Sequence, residues 1–263
     1  MIKKISRFRQ IPSKLKQMTA IQYFRNSIRQ FLPVRSTKQK NALSREDIAR
    51  RYLNGSGIEI GALHKPLKVS PSTMVKYLDR MSAESLRQHY PELNELPIVS
   101  VDIIDNGETL TTILDASQDF VIANHFFEHC QNPILAVSNM LRALRHNGVL
   151  YLSIPDKRHT FDRDRPVTKL AHLMKDYSDG PEWSKKPAFE EYVRFVDKIK
   201  DENEVQKKVA HYLAMDYSIH YHVWTEIEML ELLVFLSQNL KIPFLVELVV
   251  KNDIEVIMIL RKD

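Results

Sequence analysis

Gly57-Ile-Glu59-Ile-Gly61-Ala-Leu-His-Lys-Pro66 reads as a short strand that ends in a turn. A glycine at the strand end lets the backbone approach a ligand with no Cβ in the way. The stretch is not a phosphate cradle. Neither G-x-G-x-x-G nor G-x-x-x-x-G-K-S/T is present, which disfavours a nicotinamide dehydrogenase and a P-loop enzyme. Outward from this strand, further apolar runs rich in β-formers cover 74–78, 98–104 and 119–123. A helical stretch over about 134–145 leads into a fifth run, 149–154. Strands alternating with helices predict a parallel sheet covered on both faces. Runs 244–250 and 255–260 flank Lys251-Asn-Asp253 and predict a closing β-hairpin.

Two segments frame this core. Ser44-Arg-Glu-Asp47 is a capping-box variant that starts a short helix to about 53. Residues 156–222 interrupt the strand–helix rhythm between the fifth strand and a helix over about 226–238. They are charged, hold five of the ten histidines, and carry helical stretches near 167–178 and 187–215. That is too long for a simple connection. An insertion at the carboxyl end of a central strand sits where open α/β sheets bind ligands, so it is expected to be a substrate lid.

The chain has 263 residues, 44% hydrophobic and 27% charged, which fits one sizeable globular domain with an appendage. Its formal charge of +5 hides an asymmetry. Residues 1–40 hold eleven Lys/Arg and no acid, while the rest holds 27 basic against 33 acidic residues, a net of −6. The body is therefore not expected to bind nucleic acid. In the basic arm, Ile2, Ile5, Phe8, Ile11, Leu15, Met18, Ile21, Phe24, Ile28 and Phe31 recur every three or four residues. They form one apolar stripe of a helix, which Pro12 breaks and Pro33 ends. Two readings fit: the stripe packs on the body or a second subunit, or residues 1–31 lie on an anionic membrane surface. One cysteine, Cys130, excludes a disulfide scaffold and suits a reducing compartment, so the expected location is cytoplasmic. No secretory signal or membrane-spanning run is expected.

Glu59-x-Gly61 ends strand one, Asp79 ends Val75-Lys-Tyr-Leu-Asp79, and Asp105 ends Asp102-Ile-Ile-Asp105. A carboxylate after strand two can accept both hydroxyls of a ribose; one after strand three can accept from an adenine amino group. In this order the three positions resemble the cofactor site of class I S-adenosylmethionine-dependent methyltransferases. Ser117-Gln-Asp-Phe-Val-Ile-Ala-Asn-His-Phe-Phe-Glu-His129, Asn132-Pro133 and the stretch from Leu141 to Asp156 are similar to their strand-four to strand-five segment. The likeness covers about 55–160. Residues 155–166 and Ile219-His-Tyr-His-Val-Trp-Thr225 resemble a narrower set, methyltransferases of bacterial surface-polysaccharide gene clusters.

The resemblance implies a Rossmann-like seven-stranded doubly wound sheet with an antiparallel C-terminal hairpin. It implies that Glu59, Gly61 and Ala62 meet the amino-acid end of S-adenosylmethionine and that Asp79 holds the ribose. Asp105 would then sit near the adenine, with Asn124 and His125 beside the sulfonium. The chain departs from the pattern at Leu63, where a second glycine is usual, and at Asn147-Gly148 in place of Gly-Gly.

His125-Phe-Phe-Glu128-His129 has the spacing of an inverted zinc-protease motif, but that motif needs a helix and these residues follow a strand. Some O-methyltransferases, those of small-RNA ends and of ubiquinone precursors, carry Glu-x-x-Glu-His here and bind a divalent ion. By that likeness Glu128 and His129, with His220 or His222, would hold a metal able to bind vicinal hydroxyls. The plain alternative is that Glu128 and His129 hydrogen-bond the start of the next helix. Methyl transfer needs alignment and removal of the acceptor's proton, a role for neutral imidazole. The candidates are His125, then His129, then His222 and His220. Asp156, Lys157, Arg158 and His220 offer hydrogen bonds to a hydroxyl-rich acceptor. The expected activity is O-methylation of a sugar or polysaccharide; the rival is a non-catalytic binding module on the same fold.

Overall fold

The structure is a computed structural model that describes residues 43–263. The amphipathic arm expected over 1–31, its linker and its membrane or subunit contact fall outside these residues. Helix α1 (Arg45–Tyr52) is capped as its sequence predicts. The Ser44 amide donates to Asp47 Oδ2 at 3.2 Å, and the Asp47 amide donates to Ser44 Oγ at 3.1 Å.

Seven strands follow: β1 (Ser56–Ile60), β2 (Met74–Asp79), β3 (Ile103–Ile104), β4 (Gln118–Asn124), β5 (Leu144–Pro155), β6 (Phe244–Asn252) and β7 (Glu255–Lys262). They form one sheet in the order β3-β2-β1-β4-β5-β7-β6, parallel except at β7, which runs antiparallel to both neighbours. The expected Rossmann-like sheet and closing hairpin are both present. The order reverses between β1 and β4, which leaves a crevice at their carboxyl ends.

Alternation decides the two faces. Phe120, Ile122, Tyr151, Ile257 and Ile259 point to one side, under Ile48 and Ala49 of α1 and the Leu53 that follows it. Val121, Ala123, Leu150, Leu152 and Met258 point to the other, under α3 (Pro133–Ala143) and α7 (Glu226–Gln238). No helix forms between β1 and β2; residues 61–73 cross as turns, with Leu67 packed beside α1.

Strand three is shorter than the apolar run 98–104 predicts. Only Ile103–Ile104 pairs, because the Asp102 side chain takes the Tyr77 amide at 2.8 Å in place of a ladder bond. Helix α2 (Ala83–His89) lies between β2 and β3. The insertion holds α4 (Leu170–Asp179), α5 (Glu182–Phe195) and α6 (Glu202–Ala214). The long helix expected over 187–215 splits in two. Lys198 takes φ +60°, and Asp201 caps α6 by accepting from the Glu204 amide. These helices bury a small core of their own around Phe189, Val193, Val205, Val209 and Tyr212. Among the described residues no helix is long and apolar enough to cross a membrane.

Gly57 is set by close packing. A Cβ there would fall against the Phe120 carbonyl oxygen and within 2.5 Å of its ring. Gly57→Ala is therefore expected to destabilise by about 1–3 kcal/mol, the usual cost of overpacking a filled core. Urea unfolding with an unchanged m-value would register it, and a variant as stable as the parent would refute this account of the β1–β4 contact.

Candidate active site

A cleft of about 410 Å³ opens at the carboxyl ends of β1 and β4, within the roughly 300–1,000 Å³ of small-molecule sites. It is lined by Arg45, Glu59, the 61–65 loop, Asn124, His125 and the 252–255 turn. Gly61 leaves β1 at φ +66°, and its amide is tied to the Leu78 carbonyl at 2.9 Å. Leu63 takes φ +49°. The left-handed backbone that a glycine usually supplies at this place is thus kept by a leucine at a conformational cost, so the loop shape survives the departure in sequence. Asn147, the other departure, also adopts a left-handed φ of +64°, which asparagine tolerates well.

Glu59 is fully buried. Its carboxylate accepts the Leu67 amide at 3.0 and 3.1 Å and Asn124 Nδ2 at 3.3 Å. Burial outweighs these bonds and pushes the Glu59 carboxyl up to about 7. Two lining atoms, Asn124 Oδ1 and His64 Nδ1, are buried without a hydrogen bond. Asp79 ends the neighbouring strand β2, partly buried; burial raises its carboxyl despite bonds from the Arg80 and Met81 amides.

Asp105 is corrected. Its oxygens are occupied by the Asn106 amide (2.7 Å), Thr111 Oγ1 (2.9 Å), the Thr112 amide (2.7 Å) and Thr112 Oγ1 (2.8 Å). It braces the 106–112 loop instead of presenting a free carboxylate.

Beside the cleft, Glu255 is reached from four elements. Arg45 of α1 donates through Nε at 2.7 Å and also ion-pairs with Oε2; Ser153 of β5 donates at 2.5 Å, and Asn252 of β6 at 2.7 Å. His125 Nε2 lies 2.8 Å from Oε2. Burial opposes ionisation of Glu255, but the bonds from Arg45, His125 and Ser153 prevail and hold its carboxyl far below the usual range. A carboxylate only accepts, so His125 Nε2 carries a proton in this contact, and in the neutral ring the lone pair is then on Nδ1. His125 follows β4 with φ +48°, a strained conformation for this residue type.

The other candidate histidines, His129, His220 and His222, do not line the cleft. His129 Nδ1 bonds the Ile219 carbonyl at 2.9 Å, and burial lowers its ring to about 3. His220 Nδ1 bonds Asp162 Oδ2 at 2.6 Å. Burial works against charging His220, yet Asp162 outweighs it and raises the ring. Between them lies Glu128, buried, with neither carboxylate oxygen hydrogen-bonded; His220 Nε2 is 3.9 Å and His125 Nδ1 3.6 Å from Oε1. Glu128 therefore does not cap the next helix. Asn132 does so, its Oδ1 accepting the Leu135 amide at 3.0 Å, while Glu108 accepts the Gln131 and Asn132 amides just before the helix at 2.8 and 3.0 Å. His222 is buried against Trp224, which excludes it as a base at the cleft.

The substrate candidates after β5 are also corrected. Asp156 is fully buried and clamped by Arg158, which reaches on to Glu226, while Lys157 Nζ caps the Arg163 carbonyl at 2.7 Å. Asp156 and Lys157 are taken up by contacts within 156–163, and Arg158 ties that turn to α7. Arg45, Ser153 and Glu255 escaped the sequence reading, because no local spacing links residues more than a hundred positions apart. The one signal was Ser44-Arg-Glu-Asp47, which speaks only for a helix cap.

Glu255 makes stability depend on pH. Its folded pKa is depressed, so its stabilisation is complete above the unfolded value of about 4.3 and is lost as pH falls below it. Glu255→Gln is expected to lower stability at pH 7 by about 1–3 kcal/mol. It should also flatten the loss between pH 5 and 3, which melting curves across pH would show; an unchanged acid limb would contradict this.

Residues 55–152 match the family described as "Methyltransferase domain". The curated proteins offer no match. A solved structure described as a putative zinc-dependent alcohol dehydrogenase from Rhodobacter sphaeroides is 16% identical. It aligns over 82% of this chain and 88% of its own, with a TM-score of 0.51. At that identity it shows the shared fold alone. A methyltransferase dependent on S-adenosylmethionine from Methanosarcina mazei is 17% identical over 82% of this chain and 95% of its own, with a TM-score of 0.40. A possible histamine N-methyltransferase from Thermotoga maritima is 14% identical over 80% and 82%, with a TM-score of 0.41. Over residues 55–152 the chain is similar to a methyltransferase domain, which supports reading it as an enzyme that uses S-adenosylmethionine.

Proposed function

We propose that the enzyme methylates a hydroxyl of a sugar or polysaccharide, with His125 as general base. The observation that carries this is the His125–Glu255 contact at the cleft wall, which takes the Nε2 proton and puts the lone pair of the neutral ring on Nδ1. S-adenosylmethionine supplies an electrophilic methyl group on a cationic sulfur. Glu59 and the unpartnered Asn124 Oδ1 suit its cationic amino-acid end, and the 61–62 backbone can approach it closely. Asp79 is assigned the ribose hydroxyls. The acceptor's proton passes to His125 Nδ1, and Glu255 stabilises the imidazolium that forms. Lys65, Asn252 and Asp253 on the cleft wall suit a hydroxyl-rich acceptor, as does the likeness of 155–166 and 219–225 to polysaccharide-cluster enzymes. The 156–222 insertion is assigned the covering of that acceptor.

A divalent cation fits Glu128, His129 and His220, whose ligand atoms converge within 4.8 Å around a carboxylate that has no hydrogen bond. Those residues would hold it, and it would lower the pKa of a bound hydroxyl.

His125→Ala should cut turnover by about 10²–10⁴ while cofactor affinity in calorimetry stays within about twofold. Equal loss of both would deny it the base role. The acceptor is tested by labelled methyl transfer to sugar nucleotides and oligosaccharides. Cofactor binding with no transfer to any hydroxyl would favour the binding-module alternative.

Glu59 sets the pH dependence of cofactor binding. Only its ionised form attracts a cation, and its carboxyl sits at about 7. Affinity should therefore tighten by up to about tenfold from pH 6 to 8. Glu59→Gln should flatten that profile, and Asp79→Ala should weaken binding at every pH. A flat profile in the parent enzyme would refute the role given to Glu59.

A further inference from the structure

Given the cleft's reading as an S-adenosylmethionine site, on which this rests, the structure assigns Arg45 Nη1 as the donor that receives the carboxylate of the cofactor's amino-acid end. Glu59 and Asn124 meet only the cationic half of that end.

The donors of Arg45 can be followed one by one. A guanidinium has five N–H groups and no acceptor. Nε donates to Glu255 Oε1 at 2.7 Å, one Nη2 hydrogen goes to Glu255 Oε2, and the other goes to Ser153 Oγ at 3.1 Å. The Ser153 hydroxyl donates its own proton to Glu255 Oε2, so towards Arg45 it only accepts. Both Nη1 hydrogens remain, with no partner among the described residues. The side chain lines the cleft, is 28% exposed, and does not bury Nη1. The edge of the guanidinium left open to a cleft ligand is therefore a pair of unused donors.

That edge is held in place before any ligand arrives. Arg45 is the first residue of α1, whose start is fixed by the Ser44–Asp47 cap, and Glu255 and Ser153 set the plane of the guanidinium. A planar fork already locked on one side loses little rotamer freedom when its other side binds. Glu255 on one edge and a ligand carboxylate on the other use separate hydrogens, so the two do not compete.

The charges of the wall select the ligand group. Glu59 lines the same cleft, and Arg45 and Glu59 feel each other's charge. One anion and one cation together match a zwitterion, an ammonium and a carboxylate on one carbon. Glu59 repels the carboxylate, and Asn124 Nδ2 is already bonded to Glu59 at 3.3 Å. His125 Nε2 is committed to Glu255, and the unpartnered His64 Nδ1 is shut away from solvent. Lys65 is exposed, and no described residue holds its ammonium, so ordering it would cost rotamer freedom that Arg45 has already lost. Through one guanidinium the amino-acid end is then joined to the carboxylate that orients His125.

The test is calorimetry on the full chain with two ligands. S-adenosylhomocysteine carries the ammonium and the carboxylate; its decarboxylated analogue lacks the carboxylate alone. The parent should bind the analogue at least about tenfold more weakly, the effect of losing a hydrogen bond to a charged group. Arg45→Lys keeps a cation for Glu255 but has no second edge. It should bring the two ligands to within about threefold of each other, with the affinity of the analogue and the circular dichroism unchanged. Arg45→Gln, which keeps one donor towards Glu255, is the second variant if Arg45→Lys loses the parent's circular dichroism, and should give the same convergence. Lys65→Met should keep the parent's preference. Equal binding of both ligands by the parent would overturn the assignment, as would a preference retained in the folded Arg45 variant. Equal weakening of both ligands would show that Arg45 acts only through Glu255, and convergence in Lys65→Met would move the carboxylate to Lys65; each overturns it too. In all these outcomes S-adenosylhomocysteine still binds the parent and the cofactor reading stands. A parent that binds neither ligand overturns both.

Discussion

The buried Glu255 carboxylate is the constraint on which the site depends. It has almost no contact with solvent, yet it stays ionised because Arg45, Ser153, Asn252 and His125 all converge on it. Each donor comes from a different element, so one group fixes α1, the end of β4, β5 and the closing hairpin relative to each other. Hydrogen bonds to a charged group in a dry setting are among the stronger ones, and their geometry is correspondingly sharp. His125 inherits its protonation pattern and its strained backbone from this arrangement.

The fold was legible because period-two alternation and strand–helix order are local properties. Phe120 and Ile122 go to one face and Val121 and Ala123 to the other, as any strand requires. Strand three was overestimated because a side chain, Asp102, replaced a backbone partner at the sheet edge. The α5–α6 break was missed because apolar periodicity runs through it, while the cap at Asp201 and the turn at Lys198 stop the helix.

The site was less legible. His125, His129, His220 and His222 are equivalent as letters, and burial and partners alone separate them. His125 meets an ionised carboxylate at a cleft, His129 is tied to a carbonyl, His220 to Asp162, and His222 lies in a dry pocket against Trp224. The acidic series Glu59, Asp79, Asp105 follows strand order, which sequence gives. What each carboxylate faces is decided by loops, and Asp105 turned out to be filled by its own loop.

The Arg45–Glu255 contact spans 210 positions. Closing so long a chain segment costs entropy that only an assembled sheet offsets. Arg45 precedes the first strand, and Glu255 opens the last. During synthesis, the loop after β1 therefore emerges long before anything can orient the imidazole after β4. On the roles proposed for Glu59, Asp79 and His125, a folding intermediate that lacks the hairpin has its carboxylates in place but no oriented imidazole, and competence belongs to the finished sheet.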